Sequence, residues 1–192
     1  MRRGEAVRKT TEVDIHVSIA LNGRGVFEGG TGIRFLDHLL TLLSKHGSMD
    51  LNLQAKGDLK HHIIEDVGIS LGQALSKALA ERKGIKRFGF AYAPMDDALA
   101  RAVVDLGGRT YPLVNLNTLR IKVEDLEMED LEHFLSSFAD SLRANIHIEV
   151  LYGSNDHHKV EAAVKALALA LKGASEIQPG RRDEIPSTKG ML

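Results

Sequence analysis

A cluster of two adjacent histidines followed by a glutamate occurs twice in this chain, and this duplication restricts the folds open to it. The copies are His61-His62-Ile63-Ile64-Glu65 and His157-His158-Lys159-Val160-Glu161. A lone histidine precedes each copy, His38 by 23 residues and His133 by 24. Between the lone histidine and the pair, both halves have an apolar helical run, an extended run and a turn. The sequence therefore predicts an internal repeat of roughly half the chain.

The spacing within each cluster suits metal binding on a helix. Residues i and i+4 lie on one helix face, one turn apart, so His61 with Glu65, and His157 with Glu161, can each hold one ion. The second histidine of each pair points about 100° further round the helix and can reach a different ion. Imidazole and carboxylate together suit a transition metal such as Mn, Fe or Zn. Two such clusters predict a two-metal site, and hence an enzyme.

The apolar positions of the same two helices indicate where the metals would lie. The buried stripe runs through Ile64, Val67 and Leu71 in one helix and through Val160 and Leu167 in the other. The ligand positions flank or oppose this stripe. A metal inside the core of one subunit does not fit this pattern, whereas a metal at a surface where another subunit docks does. We therefore expect a homo-oligomer with metal sites at its subunit interfaces.

Composition restricts the class of protein. The 192 residues, 43% hydrophobic and 27% charged, fit one domain or two halves that share a core. The absence of cysteine excludes disulfides, thiolate metal sites and a cysteine nucleophile. A net charge of −1 gives no general attraction for nucleic acid. With no apolar run of roughly 18 residues and no signal-peptide pattern, we expect a cytoplasmic protein that binds neither membrane nor nucleic acid.

Periodicity predicts an α+β fold of two ββαβα halves, with the helices packed on one face of the sheets. The expected pseudo-repeats are 1–84 and 85–173, within a single domain 1–192, and 174–192 is an irregular tail. We expect strands over 5–21, 50–55, 88–93, 98–106 and 145–151, and helices over 35–45, 60–82, 131–143 and 155–172.

Glycines are expected to mark the turns and helix ends. Asn22-Gly23 is typical of a hairpin turn. Gly84 and Gly173 are expected to end helices. The glycine-rich stretch 23–32 lacks the spacing of a nucleotide-binding loop, so it predicts a turn and strand connection.

The motifs of the chain resemble those of the imidazoleglycerol-phosphate dehydratase family, enzymes of histidine biosynthesis. The matching motifs run in order along nearly the whole chain: Arg8–Glu12, Thr31–Leu40, Lys45–Gly47, His61–Asp66, Pro94–Leu99, Asp105–Arg109, Glu132–Phe134, Gly153–His158 and Pro186–Gly190. The chain departs from the family pattern at Asp97, Val164 and Leu169, none of which is an expected metal ligand. The resemblance implies a duplicated fold like the second domain of ribosomal protein S5, and a cubic assembly of two dozen subunits.

The resemblance also implies two Mn²⁺ ions per active site, other divalent transition metals being possible, with ligand sets that cross the repeats. One ion takes His38, His62, His157 and Glu161, and the other takes His61, Glu65, His133 and His158. Four protein ligands fill a tetrahedral zinc site, whereas an octahedral ion keeps two positions open for substrate. This difference favours manganese.

The reaction that the resemblance implies is dehydration of D-erythro-imidazoleglycerol phosphate to imidazole acetol-phosphate. The proton to be removed is not next to a carbonyl, so the imidazole must store electron density, which two metal ions on its nitrogens would favour. The expected catalytic residues are Glu12, as acid or base, with Glu65 and Glu161. The expected substrate-binding residues, including cationic donors to the phosphate, are Glu12, His38, His46, His61, His62, Glu65, Arg87, Arg109, Lys165, Ser187 and Lys189.

Several residues also have plainer interpretations. Glu12 can be a surface carboxylate, Lys165 can pair with Glu161, and His46 can cap its helix. His16 and His147 lie on predicted strands and are expected to be structural. The acidic run 124–130 is expected to be a solvated loop and helix start.

Two other functions compete. A dinuclear metallohydrolase would use the same histidines and glutamates with a bridging hydroxide as nucleophile. Such sites usually include bridging aspartates, which the pattern does not suggest. A nucleic-acid module of the ribosomal-protein kind is the non-enzymatic alternative, and the near-neutral charge argues against it.

Overall fold

The fold consists of two four-stranded sheets with four helices packed between them. In the computed structural model, which describes residues 2–192, the first half contains β1 (Arg3–Lys9), β2 (Val13–Leu21), β3 (Phe27–Gly30), α1 (Arg34–Gly47), β4 (Met49–Gly57) and α2 (Lys60–Leu79). The second half contains β5 (Phe88–Met95), β6 (Ala98–Asp105), β7 (Tyr111–Asn115), β8 (Lys122–Val123), β9 (Leu126–Glu127), α3 (Met128–Leu142), β10 (Asn145–Tyr152) and α4 (Asp156–Ser175). Across residues 2–192, no helix has the length and apolarity to cross a membrane.

The two sheets have the same topology. Their strand orders are β1-β2-β4-β3 and β5-β6-β10-β7. In each sheet the first three strands are antiparallel neighbours, and the last strand lies parallel to its neighbour at the edge. The equivalent strands and helices follow in the same order along both halves, apart from the small β8–β9 hairpin. The duplicated α+β fold predicted from the sequence is therefore confirmed.

The four-stranded sheet of each half nevertheless contains one strand more than the predicted ββαβα unit, and the second half also has the β8–β9 hairpin. Strand β3 lies within 23–32, where a turn and strand connection was expected, whereas β7 was not predicted; neither strand contains a fully buried residue. They form because β4 and β10 offer a free edge, which is a tertiary feature. The predicted strand 5–21 is also wrong as a single element: it divides at a turn where Thr10 Oγ1 accepts hydrogen bonds from the backbone N–H groups of Glu12 and Val13.

The turn and the helix ends predicted from glycines were only partly correct. Asn22 adopts the left-handed conformation of a turn, at φ 58°. This turn is not a hairpin, because β2 pairs with β1 and β4 rather than with β3. Helix α2 ends before Gly84, at the positive-φ residue Ala80, and α4 continues through Gly173 to Ser175. A local turn residue allows the chain to reverse, but the surrounding packing decides where it does so.

The helices bury the inner face of each sheet. Along β2, alternate side chains from Val13 to Leu21 are buried, as the period of two requires. Helix α2 packs on β1 and β2, and α4 packs on β5 and β6. Between the halves, α2 packs against α3 and α1 against α4. The two halves therefore share one core, and helices from opposite halves lie side by side.

A glycine in the first strand of each half allows its long helix to approach the sheet closely. A Cβ on Gly4 would overlap the carbonyl oxygen of Ala74 in α2, and a Cβ on Gly89 would overlap that of Ala170 in α4. Both contacts involve backbone, which cannot rotate away as a flexible side chain can. The same packing device thus occurs in both repeats.

We expect Gly89→Ala to destabilise the protein, because α4 must move away from the sheet to admit the methyl group. Overpacking of this kind costs about 1–3 kcal/mol. Urea denaturation followed by circular dichroism would measure the change. The matched control is Gly173→Ala within α4, where the nearest atom to a new Cβ lies 3.9 Å away. An equal loss of stability in both variants would contradict the proposed close approach.

Candidate active site

The first of two histidine–carboxylate clusters lies where α1 of one half meets α4 of the other. His38 on α1 and His157 and Glu161 on α4 direct their donor atoms to one point, all within 4.8 Å of one another. Glu161 Oε1 lies 2.8 Å from His38 Nε2 and 3.0 Å from His157 Nε2. Two imidazoles and a carboxylate are a donor set that fits a divalent transition metal. The cluster opens to a surface pocket that is also lined by Phe35 and Glu124.

Glu161 is the most enclosed member of this cluster. Its side chain is only 8% exposed. Burial alone raises the pKa of the Glu161 carboxyl, but hydrogen bonds from Lys165, His38 and His157 and the charge of Lys165 outweigh burial and lower that pKa to about 2. The carboxylate is therefore ionised at neutral pH, which is the form that binds a metal.

The second cluster lies where α2 meets α3. His61 and Glu65 on α2 and His133 on α3 also direct their donor atoms to one point within 4.8 Å. His61 Nε2 is 3.9 Å from Glu65 Oε2, and His133 Nε2 is 3.6 Å from Glu65 Oε1. This cluster is more exposed than the first. Each cluster combines an i, i+4 pair from a long helix with a lone histidine from a neighbouring helix of the other half.

The second histidine of each pair belongs to neither cluster. His62 lies beside Asp58 and 3.9 Å from Glu12, and His158 lies beside Asp96 and Asp97. Hydrogen bonding to Asp58 raises the pKa of His62, desolvation opposes it, and the charge of Glu12 adds to the rise. Within the described chain, therefore, each expected four-ligand set has three members together and the fourth elsewhere.

Acidic residues in the run 124–130 hold the site together. The helix start expected in this run is confirmed, since α3 begins at Met128, but the expectation of a solvated loop was wrong. Asp125 accepts hydrogen bonds from the backbone N–H groups of Arg34 and Phe35 at the start of α1. A carboxylate at a helix N-terminus satisfies free donors and complements the helix dipole. Glu124 contacts His157, and Asp130 contacts His61. Sequence reasoning missed these roles because the partners lie in distant segments.

The N-terminus of α4 is fixed by a side-chain cap and by a buried ion pair. Asn155 Oδ1 accepts from the backbone N–H of His157, as a helix N-cap does. Asp156 accepts from the N–H groups of Leu119 and Arg120 and pairs at 3.0 Å with Lys159, both charged side chains being 3% exposed. These contacts attach the loop before β8 to the helix that carries the second histidine pair.

Three of the expected substrate-binding residues lie close to histidines or carboxylates of the clusters. Glu12 is in the turn between β1 and β2, exposed, with its carboxylate facing His62. Lys165 donates to Glu161 at 2.8 Å, so the ion pair considered as its plainer interpretation is present. Burial and the charge of Lys165 lower the pKa of His46, and Glu161 acts in the opposite sense. His46 therefore lies within electrostatic reach of the first cluster.

A second group of expected substrate-binding residues surrounds the C-terminal tail. Arg87 donates to both carboxylate oxygens of Asp105, at 2.7 and 3.0 Å, and to the carbonyl of Pro186 at 2.9 Å. Its guanidinium carbon also lies 4.7 Å from the centre of the Phe88 ring. The bond to Pro186 fixes the tail immediately before Ser187. Sequence reasoning missed Asp105 as a partner, although it belongs to the Asp105–Arg109 motif.

The remaining expected residues are near the surface. Arg109 and Lys189 are exposed, and Ser187 is half-buried, its Oγ accepting from the backbone N–H of Lys189. The described contacts do not join Arg87, Arg109 or Lys189 to either histidine cluster. His16 lies 3.3 Å from Asp14, and His147 stacks on Tyr111; neither belongs to a cluster.

Known proteins similar to this chain share both its sequence and its fold. The family model described as imidazoleglycerol-phosphate dehydratase matches residues 31–171. A protein of that name from Chlorobium phaeovibrioides is 48% identical over 194 aligned residues, which cover 100% of this chain and 96% of the relative. One from Thermoanaerobacter pseudethanolicus is 47% identical, with 100% of both chains covered.

Solved structures agree with the sequence comparisons. The imidazoleglycerol-phosphate dehydratase of Staphylococcus aureus superposes with a TM-score of 0.84 at 35% identity, over 92% of this chain and 99% of the other. The enzyme from Pyrococcus furiosus gives a TM-score of 0.78 at 36% identity, over 97% and 99%. With the matched motifs and the two histidine clusters, these similarities establish that the chain belongs to the imidazoleglycerol-phosphate dehydratase family, which are hydro-lyases of histidine biosynthesis.

Proposed function

We propose that this chain removes water from D-erythro-imidazoleglycerol phosphate to give imidazole acetol-phosphate, using two divalent metal ions per active site. The observation that carries the proposal is the pair of three-ligand clusters, each built from both halves of the duplicated fold. The substrate is inferred from the family to which the chain belongs. Two clusters would hold two metal ions, one for each ring nitrogen of the substrate imidazole. As a biosynthetic enzyme without a membrane-spanning helix in residues 2–192, it would act in the cytoplasm.

The proposed ions are Mn²⁺, each held by four protein ligands. The first would be held by His38, His62, His157 and Glu161, and the second by His61, Glu65, His133 and His158. With four ligands taken from protein, an octahedral ion keeps two positions for substrate, whereas a tetrahedral zinc ion would keep none. The ionised state of Glu161, held at neutral pH by Lys165, supports metal binding at the first set.

The proposed active enzyme is a homo-oligomer of two dozen subunits with metal sites at the interfaces. The supporting observation is that His62 and His158 lie outside the clusters formed within one chain. A neighbouring copy of the chain can supply the missing histidine to each cluster, and receive one in return. Binding metal only in the assembled state would stabilise assembly by mass action.

In the proposed reaction, bound metal ions would supply the charge that makes the substrate imidazole a store of electron density. Glu12, exposed and beside His62, would then remove the proton from the second side-chain carbon, which neighbours the ring-bound carbon that loses its hydroxyl. Arg87 and Arg109, with Ser187 and Lys189 of the tail and Lys165 near the first cluster, would hold the phosphate. Arginine offers two parallel donors to phosphate oxygens, and lysine a point charge.

The two competing functions are separable by one experiment. Metal-loaded protein would be incubated in parallel with imidazoleglycerol phosphate, with a generic phosphoester and with RNA. The proposal requires formation of imidazole acetol-phosphate. Hydrolysis of the phosphoester without this product would favour a dinuclear hydrolase, and RNA binding without either reaction would favour a nucleic-acid module.

We expect about two Mn-class ions per subunit and an assembly that depends on them. His62→Ala should lower metal content, assembly and activity together, because it removes a ligand supplied to another copy. Elemental analysis and light scattering before and after chelation would measure these quantities. His16→Ala, on a strand away from both clusters, is the matched control. A chelated subunit that stays fully assembled, or a His62→Ala variant with normal metal content, would argue against shared sites.

Glu12→Gln should lower kcat while metal content and substrate binding survive, since the amide keeps the shape but cannot carry the proton. General acid–base groups typically contribute about 10²–10⁴-fold, so a loss within this range is expected. Steady-state kinetics would measure it, with Glu5→Gln on the exposed part of β1 as the control. An unchanged kcat in Glu12→Gln would remove this residue from the mechanism.

Asp105→Asn should raise KM more than it lowers kcat. The change removes the charged partner that orients Arg87, so both the phosphate contact and the anchor at Pro186 weaken. A hydrogen bond to a charged group contributes about 1.5–3 kcal/mol, which corresponds to roughly ten- to a hundredfold in binding. Trypsin should also cleave the tail faster at Arg181 and Arg182.

Glu176→Gln is the control for that experiment. It breaks an exposed ion pair with Lys86 on the neighbouring segment, where the two side chains are 59% and 46% exposed. Such surface pairs contribute little, so KM and tail cleavage should stay near the wild-type values. If Asp105→Asn behaves like Glu176→Gln, the orientation of Arg87 does not depend on Asp105.

A further inference from the structure

Each of the four paired histidines has a carboxylate beside the same ring nitrogen. His61 Nδ1 lies 2.6 Å from Asp130, and His62 Nδ1 lies 2.8 Å from Asp58. In the second pair, His157 Nδ1 lies 3.2 Å from Glu124, and His158 Nδ1 lies 2.6 Å from Asp97. None of these four carboxylates belongs to either metal-ligand set.

The opposite nitrogens face the cluster carboxylates in the first histidine of each pair. His157 Nε2 lies 3.0 Å from Glu161, and His61 Nε2 lies 3.9 Å from Glu65. A carboxylate at Nδ1 accepts the ring N–H and keeps that proton on Nδ1, so a metal ion that replaces the proton between Nε2 and the cluster carboxylate would meet the lone pair of Nε2. The nitrogen that faces each cluster is therefore the one that would bind a metal.

The duplication of the chain does not by itself account for these contacts. Asp58 precedes His62 by four residues, but the position four before His158 is Ser154. In the second half the carboxylate comes instead from Asp97, in the turn between β5 and β6, which also accepts hydrogen bonds from Ser154. The same contact to Nδ1 is thus made from unrelated chain positions. This recurrence points to a requirement of the site rather than to a by-product of the repeat.

We propose that Asp58, Asp97, Glu124 and Asp130 are positioning residues of the metal sites, each orienting one paired histidine so that its Nε2 is presented to a metal ion. The inference rests on the proposed two-metal function and adds to it four residues that act through the ligands. Outer carboxylates of this kind fix ring orientation and raise the basicity of the ligand.

Orientation by a carboxylate matters most for His62 and His158, because each must reach a metal site other than the cluster formed by its own helix. Without a fixed orientation, each ring would lose rotamer freedom on binding, which weakens the metal site. Asp96 also lies 3.4 Å from His158 Nε2, with a side chain that is 70% exposed. Metal binding would displace this exposed carboxylate, whereas Asp97 would keep its place on Nδ1.

The test measures Mn²⁺ affinity directly, from the electron paramagnetic resonance signal of free Mn²⁺ in titrations of the full-length protein. Asp130→Asn and Asp58→Asn each keep the shape of the side chain and remove its charge. We expect the dissociation constant for Mn²⁺ to rise about 10–100-fold in each variant, the usual effect of losing an outer carboxylate. Asp130→Glu, which restores the charge, should recover most of the affinity.

The matched control is Asp14→Asn. Asp14 also lies beside a histidine, at 3.3 Å from His16 Nε2, but this pair is on β2 and outside both clusters. The affinity of the Asp14→Asn protein for Mn²⁺ should equal that of the wild type. Circular dichroism of the metal-free variants separates a direct effect on the site from a general loss of structure.

A double variant distinguishes a positioning role from a structural one. If Asp130 acts through His61, adding Asp130→Asn to a His61→Ala protein should cause no further loss of affinity. A second, additive loss would overturn the inference. So would wild-type affinity in both Asp130→Asn and Asp58→Asn, a result that leaves the two-metal proposal itself standing. A wild-type protein that binds no divalent metal would instead defeat the proposed function, and this inference with it.

Discussion

The active site of this protein depends on the packing of helices from opposite halves against each other. Neither half alone brings three metal ligands together. The first cluster exists because α1 packs on α4, and the second because α2 packs on α3. The close approach of each long helix to its sheet, permitted by Gly4 and Gly89, fixes the depth at which these helices meet. Geometry near the metal ligands is therefore set by backbone contacts far from them.

Charge within the site is balanced across the same interface between halves. Glu161 is enclosed, and an ion of this kind is costly to bury without partners. Lys165 on its own helix and His38 from the other half supply them. Asp125, from the second half, likewise accepts a hydrogen bond from the backbone N–H of Arg34 at the N-terminus of α1. Each half thus supplies polar partners to the other half.

Local patterns predicted much of this arrangement. The i, i+4 spacing of His61 with Glu65 requires only helix geometry, and the alternation along β2 requires only strand geometry. Strand β7 was missed because it is held by the edge of β10 and contains no fully buried residue. The contacts of the acidic run were missed because Asp125 and Asp130 find their partners roughly 70–90 residues away along the chain, a distance over which sequence spacing carries no geometric information.

The sequence by itself determined the duplication, the helical faces that carry the paired histidines, and membership of the family through its ordered motifs. The tertiary structure decided which histidines share a cluster, since His61 meets His133 while the adjacent His62 does not. It also placed a carboxylate beside Nδ1 of each paired histidine, from Asp58, Asp97, Glu124 and Asp130. The physical reason is that helix and strand periods fix the direction of a side chain relative to its own backbone, whereas its partners depend on how separate elements pack.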